Sequence, residues 1–172
     1  MASLIGFPNP VNEKAARVVA GGVLILVIAT ILLGALAAPA WLWLTAVLAA
    51  GFVARVLTGP KLSPLGQLAT RVVAPRLGAP KLVPGPPKRF AQGMGATMTF
   101  AAVVLQAFGI TPAVFAILGL MVVAAGLESL FATCLGCIVF GWLMRIGVIP
   151  EEICAECADI SLRTAGATGS AA

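Results

Sequence analysis

The chain has 172 residues, of which 60% are apolar and only 10% charged, against roughly a quarter charged in soluble domains. That balance excludes an ordinary water-soluble fold. The net charge of +5 does not mark a nucleic-acid binder, because the cations are not interleaved with exposed aromatics and gather in a Pro-rich stretch between apolar runs, where a membrane surface suits them.

From the N-terminus, Lys14 and Arg17 precede an apolar run that closes on Ala35-Leu36-Ala37-Ala38, the order of a secretory signal. At about twenty residues the run exceeds the roughly 7–15 of a cleaved signal, and further spans follow, so a retained helix is expected. No charge interrupts Val18 to Ala54, 37 residues, or Phe90 to Leu127, 38 residues. At about 1.5 Å per residue each stretch outruns the roughly 30 Å hydrocarbon core, so each holds two spans. Long apolar runs without alternation suit helices and not barrel strands.

Pro and Gly place the breaks. A first span is expected over Ala16 to Leu36 and a second over Trp41 to Leu57, with Pro39 at a helix start that tolerates it. A third covers Phe90 to Phe108 and, after Gly109-Ile110-Thr111-Pro112, a fourth covers Ala113 to Thr133. Between the second and third, Thr58 to Arg89 carries Lys61, Arg71, Arg76, Lys81, Lys88 and Arg89, no acid and seven prolines, and is read as an irregular cytoplasmic loop. With four spans all 11 Lys and Arg residues fall on one side, as the positive-inside rule asks, which puts both termini in the cytoplasm. Trp41 and Trp43 then belong to the outer aromatic belt, and Trp142 with Arg145 to the inner interface.

The expected fold is therefore an all-α membrane protein, a four-helix transmembrane bundle over residues 1–149 with its Pro-rich loop at 58–89, followed by a short cytoplasmic tail over 150–172. A five-span alternative breaks the last run at Gly126-Leu127-Glu128-Ser129 and puts the tail outside. Phe52-Val53-Ala54-Arg55-Val56-Leu57-Thr58-Gly59-Pro60 and Phe131-Ala132-Thr133-Cys134-Leu135-Gly136-Cys137 resemble each other weakly, which suggests two duplicated helical hairpins.

All four cysteines lie in Cys134-Leu135-Gly136-Cys137 and Cys154-Ala155-Glu156-Cys157. Residues three apart on a helix share a face at a Cα separation of about 5–6 Å, within disulfide reach, so each pair is a candidate dithiol. The bland alternative is that Cys134 and Cys137 are small buried apolar residues. The spacing Cys-x2-Cys-x16-Cys-x2-Cys also fits a four-cysteine zinc site, yet four thiolates around zinc beside Leu135, Ile138, Val139 and Phe140 would leave a costly negative charge near hydrocarbon. Thiols and disulfides are neutral and avoid that cost, so no cofactor is expected, with zinc the alternative. The second pair follows Pro150 and two acids, a good helix start. Glu128, an ionisable residue at the bilayer, is a candidate proton relay to Cys134; its alternative is interfacial snorkelling or pairing with Arg55 or Arg145. Ala91, Gly95 and Thr99 form a small-residue stripe that reads as close helix packing.

Phe7-Pro8-Asn9-Pro10-Val11-Asn12-Glu13, Lys88-Arg89-Phe90-Ala91-Gln92-Gly93-Met94-Gly95, and Leu127-Glu128-Ser129-Leu130-Phe131 followed by Cys134-Leu135-Gly136-Cys137 resemble the bacterial family catalogued as domain of unknown function 4395, over roughly Phe7 to Val148. The resemblance implies an integral inner-membrane protein, and some relatives look associated with thioredoxin-like or sulfurtransferase partners. It carries over to Glu128, Cys134 and Cys137 and not to Cys154 or Cys157.

Two functions of different class follow. The first is thiol-disulfide or sulfane-sulfur handling, with Cys134 and Cys137 as the cycling pair, Cys154 and Cys157 as a relay pair, and the lipid bilayer and a thioredoxin-like or sulfurtransferase protein as partners. The second is a small transporter or channel for a sulfur compound, using Arg55, Arg89 or Arg145, or a non-catalytic subunit of a membrane assembly.

Overall fold

A computed structural model describes residues 7–154 of the chain. The fold is all-α. Four long helical segments form two hairpins: α1 (Glu13–Leu36) returns through a 3-10 turn (Pro39–Trp43) into α2 (Leu44–Thr58). After a connector come α5 (Gly85–Ala107) and α6 (Thr111–Phe131), then a short α7 (Leu135–Arg145) and a 3-10 turn at Glu151–Cys154. The helix α1, the segment Pro39–Thr58 and α6 are each long and apolar enough to cross a membrane. Helix α5 has 23 residues, about 35 Å of helix, but its first turns carry Lys88, Arg89 and Gln92 and are correspondingly polar.

Each long helix turns one stripe inward. On α1 the buried positions after Glu13 are Ala15, Val19, Val23, Val27, Thr30 and Gly34, and on α6 they are Val114, Leu118, Met121 and Ala125, both at helical spacing. The outward faces are equally apolar: Ile25, Leu36, Phe100, Phe108 and Phe131 are all exposed. Water would penalise such faces, and lipid does not. Buried hydroxyls return to carbonyls of their own helix, Thr30 to Leu26, Thr58 to Ala54 and Thr99 to Gly95, each at 2.8 Å, so no polar atom of theirs is orphaned.

Helix α2 packs along α5 and α1 along α6. The stripe Ala91, Gly95, Thr99 acts as close packing: a Cβ at Gly95 would enter the Phe52 ring of α2, and Thr99 is fully buried. On α7, a Cβ at Gly136 would come within 2.6 Å of the Ala91 Cα atom.

The starts of α1 and α5 and the ends of α2 and α6 meet at one end of the bundle. There a two-residue strand β1 (Val11–Asn12) pairs antiparallel with β2 (Leu82–Val83), Val11 opposite Val83. Asn9 Oδ1 accepts from the Gly85 N–H at 2.8 Å, and Arg17 donates from its guanidinium to the carbonyls of Ser129 and Leu130, the open C-terminal end of α6, where a cation is favoured. Lys14 likewise donates to the Leu77 carbonyl.

Three expectations are corrected. The segment 58–89 is not irregular throughout: Ser63 caps α3 (Pro64–Leu68) by accepting from the Gly66 N–H, and a π turn (Ala69–Val73) and α4 (Ala74–Arg76) follow. The break that the five-span alternative places at Gly126-Leu127-Glu128-Ser129 is not found there: α6 runs unbroken through Gly126 to Ser129 and ends at Phe131, and α7 has 11 residues, about 16 Å of helix. The two strings offered as a repeat occupy different positions, since Phe52 lies inside α2 and Phe131 is the last residue of α6.

The packing at Gly95 has a measurable consequence. Gly95→Val forces the Phe52 ring aside and is expected to destabilise the bundle by about 1–3 kcal/mol, read as a lower thermal midpoint in detergent. At Gly119, where a Cβ meets nothing within 4 Å, Gly119→Ala is expected to be neutral or stabilising by up to about 1 kcal/mol.

Candidate functional site

The site begins with a turn that the sequence does not announce. Helix α6 ends at Ala132 in the left-handed region, φ 57°, with the N–H groups of Ala132 and Thr133 both returning to the Leu127 carbonyl. A non-glycine residue adopts that conformation at some cost. The turn frees Cys134 to become the N-cap of α7, with its Sγ accepting the Cys137 N–H at 3.3 Å. Gly136 then lets α7 lie against Ala91 of α5, and Phe90 meets Phe140 edge to face at 5.6 Å.

Cys134 and Cys137 are free thiols and partly buried. They hydrogen bond to each other, which raises the Cys134 thiol, as do its burial and the negative charges of Cys137 and Glu128. The same bond lowers Cys137, with Lys88 acting in the same direction against its burial. The N–H of Cys137 aimed at Cys134 Sγ favours charge on Cys134, so the first thiolate belongs to the pair and not to one sulfur. One proton leaves more easily than from an ordinary thiol, and the second is held far more tightly.

Glu128 lies in α6 and pairs with Lys88, in the first turn of α5, with both side chains largely but not fully shielded from solvent. The expected partners Arg55 and Arg145 are thereby corrected: α5 places Lys88 directly opposite Glu128, and Arg145 sits in the last turn of α7. The helical six-residue spacing between Glu128 and Cys134 is also lost to the Ala132 turn, although both residues line the same cavity.

That cavity has a volume of about 460 Å³ and opens between α1, α2, α5, α6 and α7. Its floor is apolar, with Val19, Val23, Met98, Leu120 and Met121, and its polar end holds Lys88, Gln92, Arg55, Glu128 and Cys134. Arg55 is 5% exposed. It donates from Nε to Gln92 Oε1 at 2.9 Å and from Nη1 to Ser63 Oγ at 3.2 Å, and its guanidinium lies 4.5 Å from the centroid of the Phe52 ring. Among the described residues it has no carboxylate partner. Arg89 donates to the Val56 carbonyl at the end of α2 and faces outward.

Of the second cysteine pair, Cys154 is buried and disulfide-bonded, and Cys157 lies outside the described residues. Among those residues no group of three or more His, Cys, Asp or Glu is placed to hold a metal. The fourth sulfur of the zinc alternative is Cys157. Sequence reasoning missed Lys88 and Gln92, one turn apart on α5, and the cavity role of Arg55. The signal was present in Lys88-Arg89-Phe90-Ala91-Gln92, where polar residues at helical spacing enter an apolar run.

Fold and site together define a small all-α protein of membrane-compatible helices with a Cys-x-x-Cys pair at the polar end of an internal cavity. The chain belongs to the family described as Domain of unknown function (DUF4395), whose profile matches residues 11–145. No curated protein and no solved structure matches it.

The shared proton predicts a pH profile. In a Cys154→Ser/Cys157→Ser background, iodoacetamide alkylation of Cys137 is expected to set in at a lower pH than for an ordinary thiol. Because the folded value is lowered, removing its cause moves the profile to higher pH: Cys134→Ala and Lys88→Met each shift the onset upward, by mass-spectrometric rate measurement. A profile unmoved by Cys134→Ala would exclude the shared proton.

Proposed function

We propose that the chain is a four-span plasma-membrane protein, with both termini cytoplasmic, that handles thiol-disulfide or sulfane-sulfur chemistry through Cys134 and Cys137. The observation that carries this reading is the free Cys134–Cys137 pair, hydrogen-bonded at the start of α7 and beside the largely shielded Lys88–Glu128 ion pair. A helix N-terminus and a nearby cation are the usual means of activating a thiol. Membrane placement is supported by the apolar outer faces, and orientation by the cations Lys14, Arg17, Lys61, Arg71, Arg76, Lys81, Lys88 and Arg89, which lie on the elements at one end. The turns at the opposite end, Ala37–Ala38 and Phe108–Ile110, carry none, as the positive-inside rule asks of the outer side.

In the reaction a partner thiolate attacks the Cys134–Cys137 disulfide, a mixed disulfide forms, and the partner's second thiol displaces it. Two electrons pass from the partner dithiol, which leaves as a disulfide, to Cys134 and Cys137, which return to two thiols. The disulfide at Cys154 supports a relay role for the pair Cys154 and Cys157 toward a thioredoxin-like or sulfurtransferase partner, since a disulfide in a reducing compartment is typically catalytic.

Acid quenching of intact cells followed by mass-tagging of thiols tests the proposal. Cys134 and Cys137 are expected to shift between two free thiols and one disulfide after oxidant and reductant, and Cys134→Ser is expected to accumulate a mixed disulfide through Cys137. Cysteines that stay reduced under every treatment would remove the redox reading.

A further inference from the structure

We propose that the cavity binds a membrane quinone and that this quinone is the acceptor of the two electrons released when Cys134 and Cys137 form their disulfide. The electron-transfer half rests on the thiol reading above; the binding half does not. Three observations point to this ligand class. The cavity volume, about 460 Å³, falls in the roughly 300–1,000 Å³ range of pockets that enclose ligands of this size. It reaches from Lys88 to Met98 along α5, about 15 Å of helix, and its floor of Val19, Val23, Met98, Leu120 and Met121 is apolar, as an isoprenoid chain requires. At its polar end stands Arg55, nine-tenths buried, held only by the neutral acceptors Gln92 and Ser63 and the Phe52 ring.

A buried guanidinium without a counter-charge is costly unless an electron-rich group meets it. A fatty-acid carboxylate would answer the charge but leave the neighbouring dithiol without a role. A quinone answers both, because its carbonyl oxygen accepts from the Arg55 N–H groups and gains negative charge as it is reduced. Lys88 and Gln92, one turn apart on α5, and Cys134 line the same end, so ring and sulfur share one compartment.

The step balances as follows. Two S–H bonds break and the Cys134–Cys137 S–S bond forms; the two electrons and two protons go to the carbonyl oxygens, which become the hydroxyls of a quinol. No other oxidant is required.

The test uses the full chain in nanodiscs. An azido-naphthoquinone photolabel is applied to the Cys134→Ser/Cys137→Ser variant, so that binding is read without thiol chemistry, with decylubiquinone and oleate as competitors. Labelling is expected on α5 between Ala91 and Met98 and on α6 between Leu120 and Ala125, displaced by decylubiquinone. Arg55→Met is expected to weaken it about tenfold or more, with partial recovery in Arg55→Lys. Ala124→Phe, which fills the cavity without touching a charge, is expected to abolish it. In the native chain, anaerobic addition of decylubiquinone should convert one quinone to quinol for each two thiols lost. Labelling displaced by oleate and not by decylubiquinone, or thiols that diamide oxidises while decylubiquinone leaves them reduced, would overturn the proposal and leave the thiol reading standing. Displaceable labelling together with thiols inert to diamide would overturn the thiol reading and the electron-transfer half with it.

Discussion

Lys88 and Glu128 form the contact on which the rest of the site depends. Their side chains are 12% and 13% exposed, so neither charge could be held there alone; breaking such a pair by removing one partner typically costs about 3–5 kcal/mol. The pair ties the first turn of α5 to the last turns of α6. That fixes where α6 must stop, where the Ala132 turn begins and where Cys134 emerges. Arg17 reinforces the same junction from α1 by donating to the Ser129 and Leu130 carbonyls, which have no helical partner of their own.

The cavity follows from small residues on three helices. Ala16 and Ala20 on α1, Ala91 and Gly95 on α5, and Ala124 and Ala125 on α6 all face it. Where α5 meets α2 and α7 the same small residues permit close approach, with Phe52 filling the groove over Gly95 and α7 lying on Ala91. Toward α1 and α6 the cavity of about 460 Å³ remains open. One stripe on α5 therefore both closes the bundle and opens its interior.

Much of this was legible in the sequence. The charge-free runs and their Pro and Gly breaks place the four long helices within a few residues, because hydrocarbon length and backbone satisfaction leave few alternatives. The end of α6 was not legible, since Ala132 takes a left-handed conformation without glycine or proline to mark it. The order within residues 64–76 was hidden by prolines that turn out to sit in first turns, Pro64 in α3 and Pro75 in α4. For the site, the cysteine spacing drew attention to the correct pair, but Glu128 was given the wrong partner. Its true partner is 40 positions away in the chain, a separation no local pattern reveals. The N-terminal residues Pro8 to Asn12 were legible only as a family string, because their role is tertiary: Asn9 holds the start of α5, and Asn12 caps α1.

Charge balance explains why the thiols belong at this place. With both thiols protonated, the polar end of the cavity holds two cations, Lys88 and Arg55, against one anion, Glu128. Loss of a single proton from the Cys134–Cys137 pair makes the compartment neutral; loss of a second leaves it negative in apolar surroundings. The hydrogen bond between the two sulfurs enforces the same order, because a shared proton stabilises one thiolate at the expense of the other. A dithiol that releases one proton at a time, and ends as a neutral disulfide, keeps the compartment close to neutrality at every stage.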